Sequence, residues 1–399
     1  MTSDRRRLLM AIYSGGSGPL YDAEIEYLQS ADGNQYIDCG FIADQAIDFE
    51  LLVMRINNAI RWDCGSEEGW SSKIARLLVQ ENNMTRWRYH TGGADLTQSS
   101  NLIGDLTLTV NGREASVTNL YSGNTYSGTG PSGSFVTPGH FLLFAFTLGQ
   151  APSLAADCAG SRLKGAVITD GAASLDLIPV RKGTVGYMYD RNSNLLLPNA
   201  GTGAFLLGPD KVEEILPEGA TAYDYIQSDG TQYIDTGVGN GVASTSLVVD
   251  TTAQFLNTTG RYSWAIHGKI NNSAFWGLQN NSSNLEVQNP GGFVSVSGWG
   301  YSKVRSHFES RQWNTNGTLR SGGNAWTLTS NIFLFTSYLM SNNAYAKLWK
   351  TKIVVDNVIV RYFQPCTDAN GRAALYDYVT KQYFYGDNGA GNDFTVGND

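Results

Sequence analysis

Tyr27-Leu28-Gln29-Ser30-Ala31-Asp32-Gly33-Asn34-Gln35-Tyr36-Ile37-Asp38-Cys39-Gly40 returns, one residue shorter, as Tyr225-Ile226-Gln227-Ser228-Asp229-Gly230-Thr231-Gln232-Tyr233-Ile234-Asp235-Thr236-Gly237. Asp-Gly supplies a turn, because glycine accepts positive φ without steric cost. Tyr and Ile alternate with polar residues on either side, which predicts two short strands around that turn. A repeat of this kind takes precedence over other patterns, since each copy must build its own supersecondary unit.

Further blocks recur in the same order. Phe141-Leu142-Leu143-Phe144 matches Ile332-Phe333-Leu334-Phe335, an apolar run suited to a buried strand. Ser161-Arg162-Leu163-Lys164 matches Ala346-Lys347-Leu348-Trp349, and a hairpin turn follows at Asp170-Gly171 or Asp356-Asn357. Pro179 then matches Pro365, Tyr189-Asp190 matches Tyr376-Asp377, and each copy closes through Phe205-to-Gly208 or Phe394-to-Gly397. Between these blocks, Ile47 to Leu51 and Leu106 to Val110 alternate at period 2, and the second run enters Asn111-Gly112, a strong hairpin signal. Short strands and regular turns predict an all-β fold of two tandem antiparallel β-sandwiches. The expected domains are an N-terminal arm at 1–20, sandwiches at 21–208 and 222–399, and a linker at 209–221.

Composition agrees. Of 399 residues, 45 are Gly, 21 Tyr, 16 Phe and 9 Trp, and only 16% are charged. Turns absorb the glycine, and half-buried strands favour the aromatics. The net charge of −8 disfavours nucleic acid as a partner, because phosphate contacts need a basic surface. No apolar run approaches the ~18 residues of a membrane span. The apolar stretch from Leu8 to Tyr13 behind Arg5-Arg6-Arg7 is shorter than the roughly 7–15 residues of a signal-peptide core. Cys39, Cys64, Cys158 and Cys366 have no metal-ligand spacing and do not recur between copies, so they read as free thiols.

The opening "YIQSDGTQYIDTG" and the closing "PCTDANGRAALYD", with its counterpart "PVRKGTVGYMYD", resemble the laminin-G-like, concanavalin-A-like jelly-roll domains of gut bacteria and their bacteriophages. The likeness spans almost the whole chain, twice. It implies the fold and leaves function open, since this sandwich serves lectins, hydrolases, adhesins and structural modules. The start, Arg5-Arg6-Arg7-Leu8-Leu9-Met10 before a Gly/Ser stretch, resembles virion proteins of phages of gut bacteria. That likeness implies a virion surface component: a head fibre, a decoration protein or a tail-associated adhesin. The alternatives are an exported bacterial glycan-binding module, at the cell surface or secreted, and a structural module without a ligand.

Catalysis finds little support. Related jelly-roll glucanases carry their acids on one strand as E-x-D-x-x-E or E-x-D-x-E, and neither occurs here. Asp22, Glu24 and Glu26 come in another order, with Ala220, Ala222 and Asp224 as their second-copy equivalents, and Asp48 and Glu50 have no third acid at Leu52. His90, His140, His267 and His307 share no repeat position, and no nucleophile elbow accompanies them. Catalytic residues and cofactors are therefore expected to be none. No metal is expected either: Asp387-Asn388 and Asn392-Asp393 could hold calcium, but the first-copy loop from Pro198 to Gly203 carries no acid.

Glycan binding is the more credible chemistry, with sugar C–H faces stacking on aromatic rings while Asn, Gln and Asp satisfy the hydroxyls. Trp62, Trp70 and Trp87 cluster among polar residues in the first copy. Trp264, Trp276 and Trp299 do so in the second, near the Asn-rich Asn280 to Asn284. Of these, Trp62, Trp70, Trp87, Trp276 and Trp299 are the candidate carbohydrate-binding residues, with core filling as the competing role. Arg5, Arg6, Arg7, Leu8, Leu9 and Met10 are the candidate anchor to other virion proteins, with Ser14 to Gly18 as a tether. Expected partners are those proteins, host or mucosal glycans, and further copies of the chain as a homo-oligomer.

Overall fold

The computed structural model describes residues 20–55, 61–69, 72–81, 84–90, 92–97, 102–148, 151–153, 161–171, 173–256, 261–271, 274–281, 284–289, 292–297, 301–309, 311–316, 318–321, 324–337, 344–386 and 393–399. Among them there are strands and turns and no helix. The chain divides into a first unit, Met1–Lys211, and a second, Val212–Asp399. Each unit is a sandwich of two sheets around its own apolar core.

The larger sheet of the first unit runs, in spatial order, Thr125–Thr129, Glu114–Asn119, Gly104–Asn111, Asp48–Arg55, Ser161–Asp170, Ala173–Lys182, Val185–Asp190 and Leu195–Leu197. The larger sheet of the second unit repeats that order as Thr318–Ser321, Gln312–Thr315, Val304–Glu309, Leu247–Phe255, Thr351–Val355, Val358–Thr367, Ala373–Asp377 and Gln382–Phe384. Pairing among the described strands is antiparallel, except where Phe146–Leu148 runs parallel to Arg61–Gly69. The strand Leu247–Phe255 shows why such sequences form sheets: its odd-numbered residues are buried and its even-numbered ones are half-buried throughout. The two-sandwich fold expected from the repeat is the fold of the chain.

The quoted repeat has a structural task in both units. Gln35 and Gln232 are each 1% exposed. Gln35 Oε1 accepts from Ser30 Oγ (3.0 Å) and the Ala31 amide (2.8 Å), while its Nε2 donates to the Thr202 carbonyl (2.9 Å). Gln232 Oε1 accepts from Ser228 Oγ (3.0 Å) and the Asp229 amide (2.9 Å), and its Nε2 reaches the Asp393 carbonyl (3.4 Å). One buried carboxamide thus ties the opening turn to the closing loop. The following Asp38 and Asp235 each accept from an amide two residues on, at Gly40 (φ 73°) and Gly237 (φ 68°), both at 2.8 Å. Asp190 and Asp377, from the repeated Tyr-Asp, are buried and accept from nearby turn amides.

The stretch 209–221 belongs partly to each unit. The Glu26 amide donates to the Pro209 carbonyl and the Lys211 amide to the Glu24 carbonyl, both at 2.9 Å. Val212 and Leu216 pack with Cys366, Tyr362, Tyr376, Tyr378 and Tyr383 of the second unit. Glu214 accepts from Tyr362 Oη at 2.6 Å and pairs with Lys350. Cys39 and Cys366 are buried free thiols, Cys64 is buried, and Cys158 lies outside the described residues. Burial pushes the Cys39 thiol well up and that of Cys366 to about 12, which leaves both unreactive at neutral pH.

Candidate functional site

Two of the candidate tryptophans are core residues, which corrects the expectation that they present a face to sugar. Trp87 is 0% exposed and meets Phe49 edge-on at 5.5 Å. Trp276 is 0% exposed, stacked on Trp313 at 5.2 Å and edge-on to Phe308 at 5.1 Å. Each lies on the strand face that looks into its sandwich, where a large ring contributes most by filling volume. Trp62 belongs to the strand Arg61–Gly69, but its side chain lies outside the described set. Trp70 and Trp299 lie outside the described residues, as do the arm residues Arg5, Arg6, Arg7, Leu8, Leu9 and Met10 and the loop residues Asp387, Asn388 and Asn392.

A ring-and-carboxamide face does form, on the outer side of the six-stranded sheet of the second unit. In the strand Ala274–Asn281, Trp276 and Leu278 point into the core, so Phe275, Gly277 and Gln279 point outward. Register extends the Gln279 row to Trp264 on the strand Arg261–Asn271, Glu286 on Asn284–Asn289 and Ser295 on Gly292–Ser297. A bulge between Trp264 and Ile266 turns the tryptophan outward, although Ile266 faces the core.

The geometry joins apolar and polar parts. The Trp264 ring lies 4.4 Å from His267 and 6.5 Å from Phe275, and His267 lies 5.4 Å from Phe275. Beside them, Gln279 Nε2 donates to Glu286 Oε2 at 2.6 Å and Asn281 Nδ2 donates to Glu286 Oε1 at 2.9 Å. Gln279 Oε1 has no hydrogen-bond partner among the described residues. Trp264, His267, Gln279 and Glu286 form a buried floor, Phe275, Asn281 and Asn284 are half-buried, and Ser295 is exposed. Burial lowers the His267 pKa to about 3, so its imidazole is neutral at pH 7 and both donates and accepts. Opposite it, Gly277 has φ +152°, and a Cβ there would lie 2.1 Å from the Ile266 carbonyl oxygen. Chemically the face offers the half-buried Phe275 ring to a C–H surface and the half-buried Asn281 and Asn284 to hydroxyl groups, above a buried floor in which both Glu286 oxygens are taken by Gln279 and Asn281.

Several of the polar groups considered above are tied within the chain. Asp22 and Glu24 pair with Arg181 (3.9 Å) and Lys211 (3.4 Å), and Asp48 Oδ1 accepts from the Gly112 amide at 2.5 Å. His140 Nδ1 contacts Asp38 at 2.9 Å. Asp393, from the loop at which no metal was expected, accepts from Arg372 Nε at 2.8 Å. On the outer face of the larger sheet of the second unit, His307 lies between Asp250 (2.6 Å) and Glu309 (3.1 Å), with Lys352 3.8 Å from Asp250. Burial alone would lower the His307 pKa, but the charges and hydrogen bonds of Asp250 and Glu309 raise it to about 9. Among the described residues, no group of three or more His, Cys, Asp or Glu side chains converges to hold a metal ion.

His267, Phe275, Gln279 and Glu286 were not distinguished in the sequence. Glu286 has a signal in the alternation of Asn284 to Gln288 with Leu285 and Val287, whereas Ala274 to Asn281 shows no clean period and His267 lies in neither stretch.

No protein-family model matches the chain, and no curated protein does. Among solved structures, domains LG4-5 of the mouse laminin alpha1 chain align with 85% of this chain and 90% of their own length, at 11% identity and a TM-score of 0.29.

Proposed function

We propose that this chain is a non-enzymatic, glycan-binding surface protein of a bacteriophage particle, of the head-fibre, decoration or tail-adhesin kind. The observation that carries the binding reading is the outer-face row of Trp264, Gln279 and Glu286, with a carboxamide oxygen beside aromatic rings that has no partner among the described residues. A buried acceptor without a partner is destabilising, and a ligand hydroxyl satisfies it. The ligands are host or mucosal glycans. Display on a virion is supported by the duplicated domain and by the resemblance of the arm, whose Arg5 to Met10 anchor the chain to other virion proteins. One shallow sugar site binds near millimolar, about −4 kcal/mol. Homo-oligomerisation multiplies sites and raises avidity by roughly 10²–10⁴ where they engage together.

A glycan array probed with the full chain is the test, with Trp264→Ala and Gln279→Ala as variants. Binding that falls at least about tenfold in both supports the reading, while equal binding by wild type and variants refutes this site. Deleting residues 1–18 should abolish incorporation into particles and leave the sandwiches folded; normal incorporation would refute the anchor. Glycan hydrolysis lost on Glu24→Gln, Asp48→Asn or Glu50→Gln would overturn the non-enzymatic assignment.

A further inference from the structure

The inner face of the larger sheet differs between the units along one row. In the first unit, Leu51 pairs with Ala166 and Leu108, and Leu108 with Val117, all four in the apolar core. The matching row of the second unit consists of hydroxyl residues. Thr251 pairs with Ser306, and Ser306 with Thr315, while Thr251 Oγ1 and Thr351 Oγ1 lie 3.0 Å apart. All four are at most 2% exposed. Indoles have entered beside them: Trp313 stands at the position of Ala115, and Trp276 at that of Ala75.

Thr251 and Thr351 satisfy each other, but Ser306 Oγ and Thr315 Oγ1 have no hydrogen-bond partner among the described residues. Neither do the indole Nε1 atoms of Trp276, Trp313 and Trp326. These groups are neighbours. Ser306 and Phe308 share a strand face, as do Trp313 and Thr315. Trp276 lies 5.2 Å from Trp313 and 6.1 Å from Trp326, and Phe308 lies 5.7 Å from Trp326. Buried donors are almost always paired with protein or with ordered water, and leaving several open in one place is strongly unfavourable. The set holds three N–H donors and two hydroxyls, so an occupant must present acceptors.

We propose that the second unit keeps ordered water between its two sheets, at an internal polar site lined by Ser306, Thr315, Trp276, Trp313 and Trp326. Water accepts from the indoles and exchanges hydrogen bonds with the hydroxyls, and buried polar groups left without protein partners are where buried water resides. The first unit has no matching site along this row, because its row is apolar. The inference is independent of the glycan-binding reading.

Thr315→Val and Ser306→Ala in the full chain test it by sign. With resident water, each variant strips a partner from the network, and calorimetry should show Tm lowered by about 2–4 °C. In a dry site each variant removes an unpaired hydroxyl, so an unchanged or raised Tm would overturn the proposal. A high-resolution crystal structure provides a second reading. Density for water within hydrogen-bonding distance of Ser306 Oγ and Thr315 Oγ1 supports the site, and an empty interior there refutes it.

Discussion

His307 has its charge fixed by its neighbours. The imidazole is 7% exposed between Asp250 and Glu309, and its pKa rises to about 9 from an ordinary value near 6.5. The folded state therefore binds the proton more tightly than the unfolded state. That stability is fully present below about pH 6.5 and is lost as pH rises through about 9. Replacing the imidazolium with a neutral amide, His307→Gln, should cost about 2 kcal/mol at pH 7. Melting curves of the two proteins should converge by about pH 10; a constant gap from pH 6 to 10 would show that the charge is irrelevant. Asp170 shows the same sense at lower pH: burial, then Asp44, raises its carboxyl to about 6, so stability from its proton declines as pH rises from about 4 to 6. Neither residue stands out in the sequence, because both effects come from groups brought together by strand pairing.

At the scale of elements, the opening turn and the closing loop act as one unit in each sandwich. Gln232→Ala removes the acceptor for Ser228 and the Asp229 amide and should destabilise the second unit by about 1–3 kcal/mol. Hydrogen exchange should rise first in Tyr225–Asp229 and Thr395–Gly397, which pair with each other. Unchanged protection in those strands would assign the glutamine no such role. Both copies also hold a phenylalanine at φ 65°, Phe144 and Phe335, a conformation that is strained for a bulky residue. Each ring lies 5.2 Å from the phenylalanine of its closing segment, Phe205 or Phe394, and that packing offsets the strain. The repeated Phe could be read from the sequence as buried. Its left-handed backbone could not, since it follows from where the closing segment lies.

Across the whole molecule, each unit has a complete core and repeats the same strand order. Residues 212–399 expressed alone should therefore fold cooperatively, with strand-type circular dichroism and a sharp calorimetric transition also found in the full chain. Broad, non-cooperative melting of that fragment would show that the second unit depends on the first. What the copies share in polar chemistry is architectural: Ser30 and Ser228, Gln35 and Gln232, Asp38 and Asp235, and Asp190 and Asp377 all serve turns. The ring-and-carboxamide face and the hydroxyl row belong to the second unit's own sequence.

The sequence alone determined the duplication, the strand periods, the turns and the two-sandwich fold, because these depend on local alternation and on glycine and Asx chemistry near each turn. Only the tertiary structure decided which aromatic ring faces which way. Counting by two from the core residue Ile266 places Trp264 in the interior, yet one extra residue in the strand reverses it, and Trp276 takes the interior position instead. A bulge changes the face without changing the composition. For that reason the candidate site could be sought among the second unit's tryptophans from the sequence, but could be placed on Trp264, His267, Phe275, Gln279 and Glu286 only once the strands were paired.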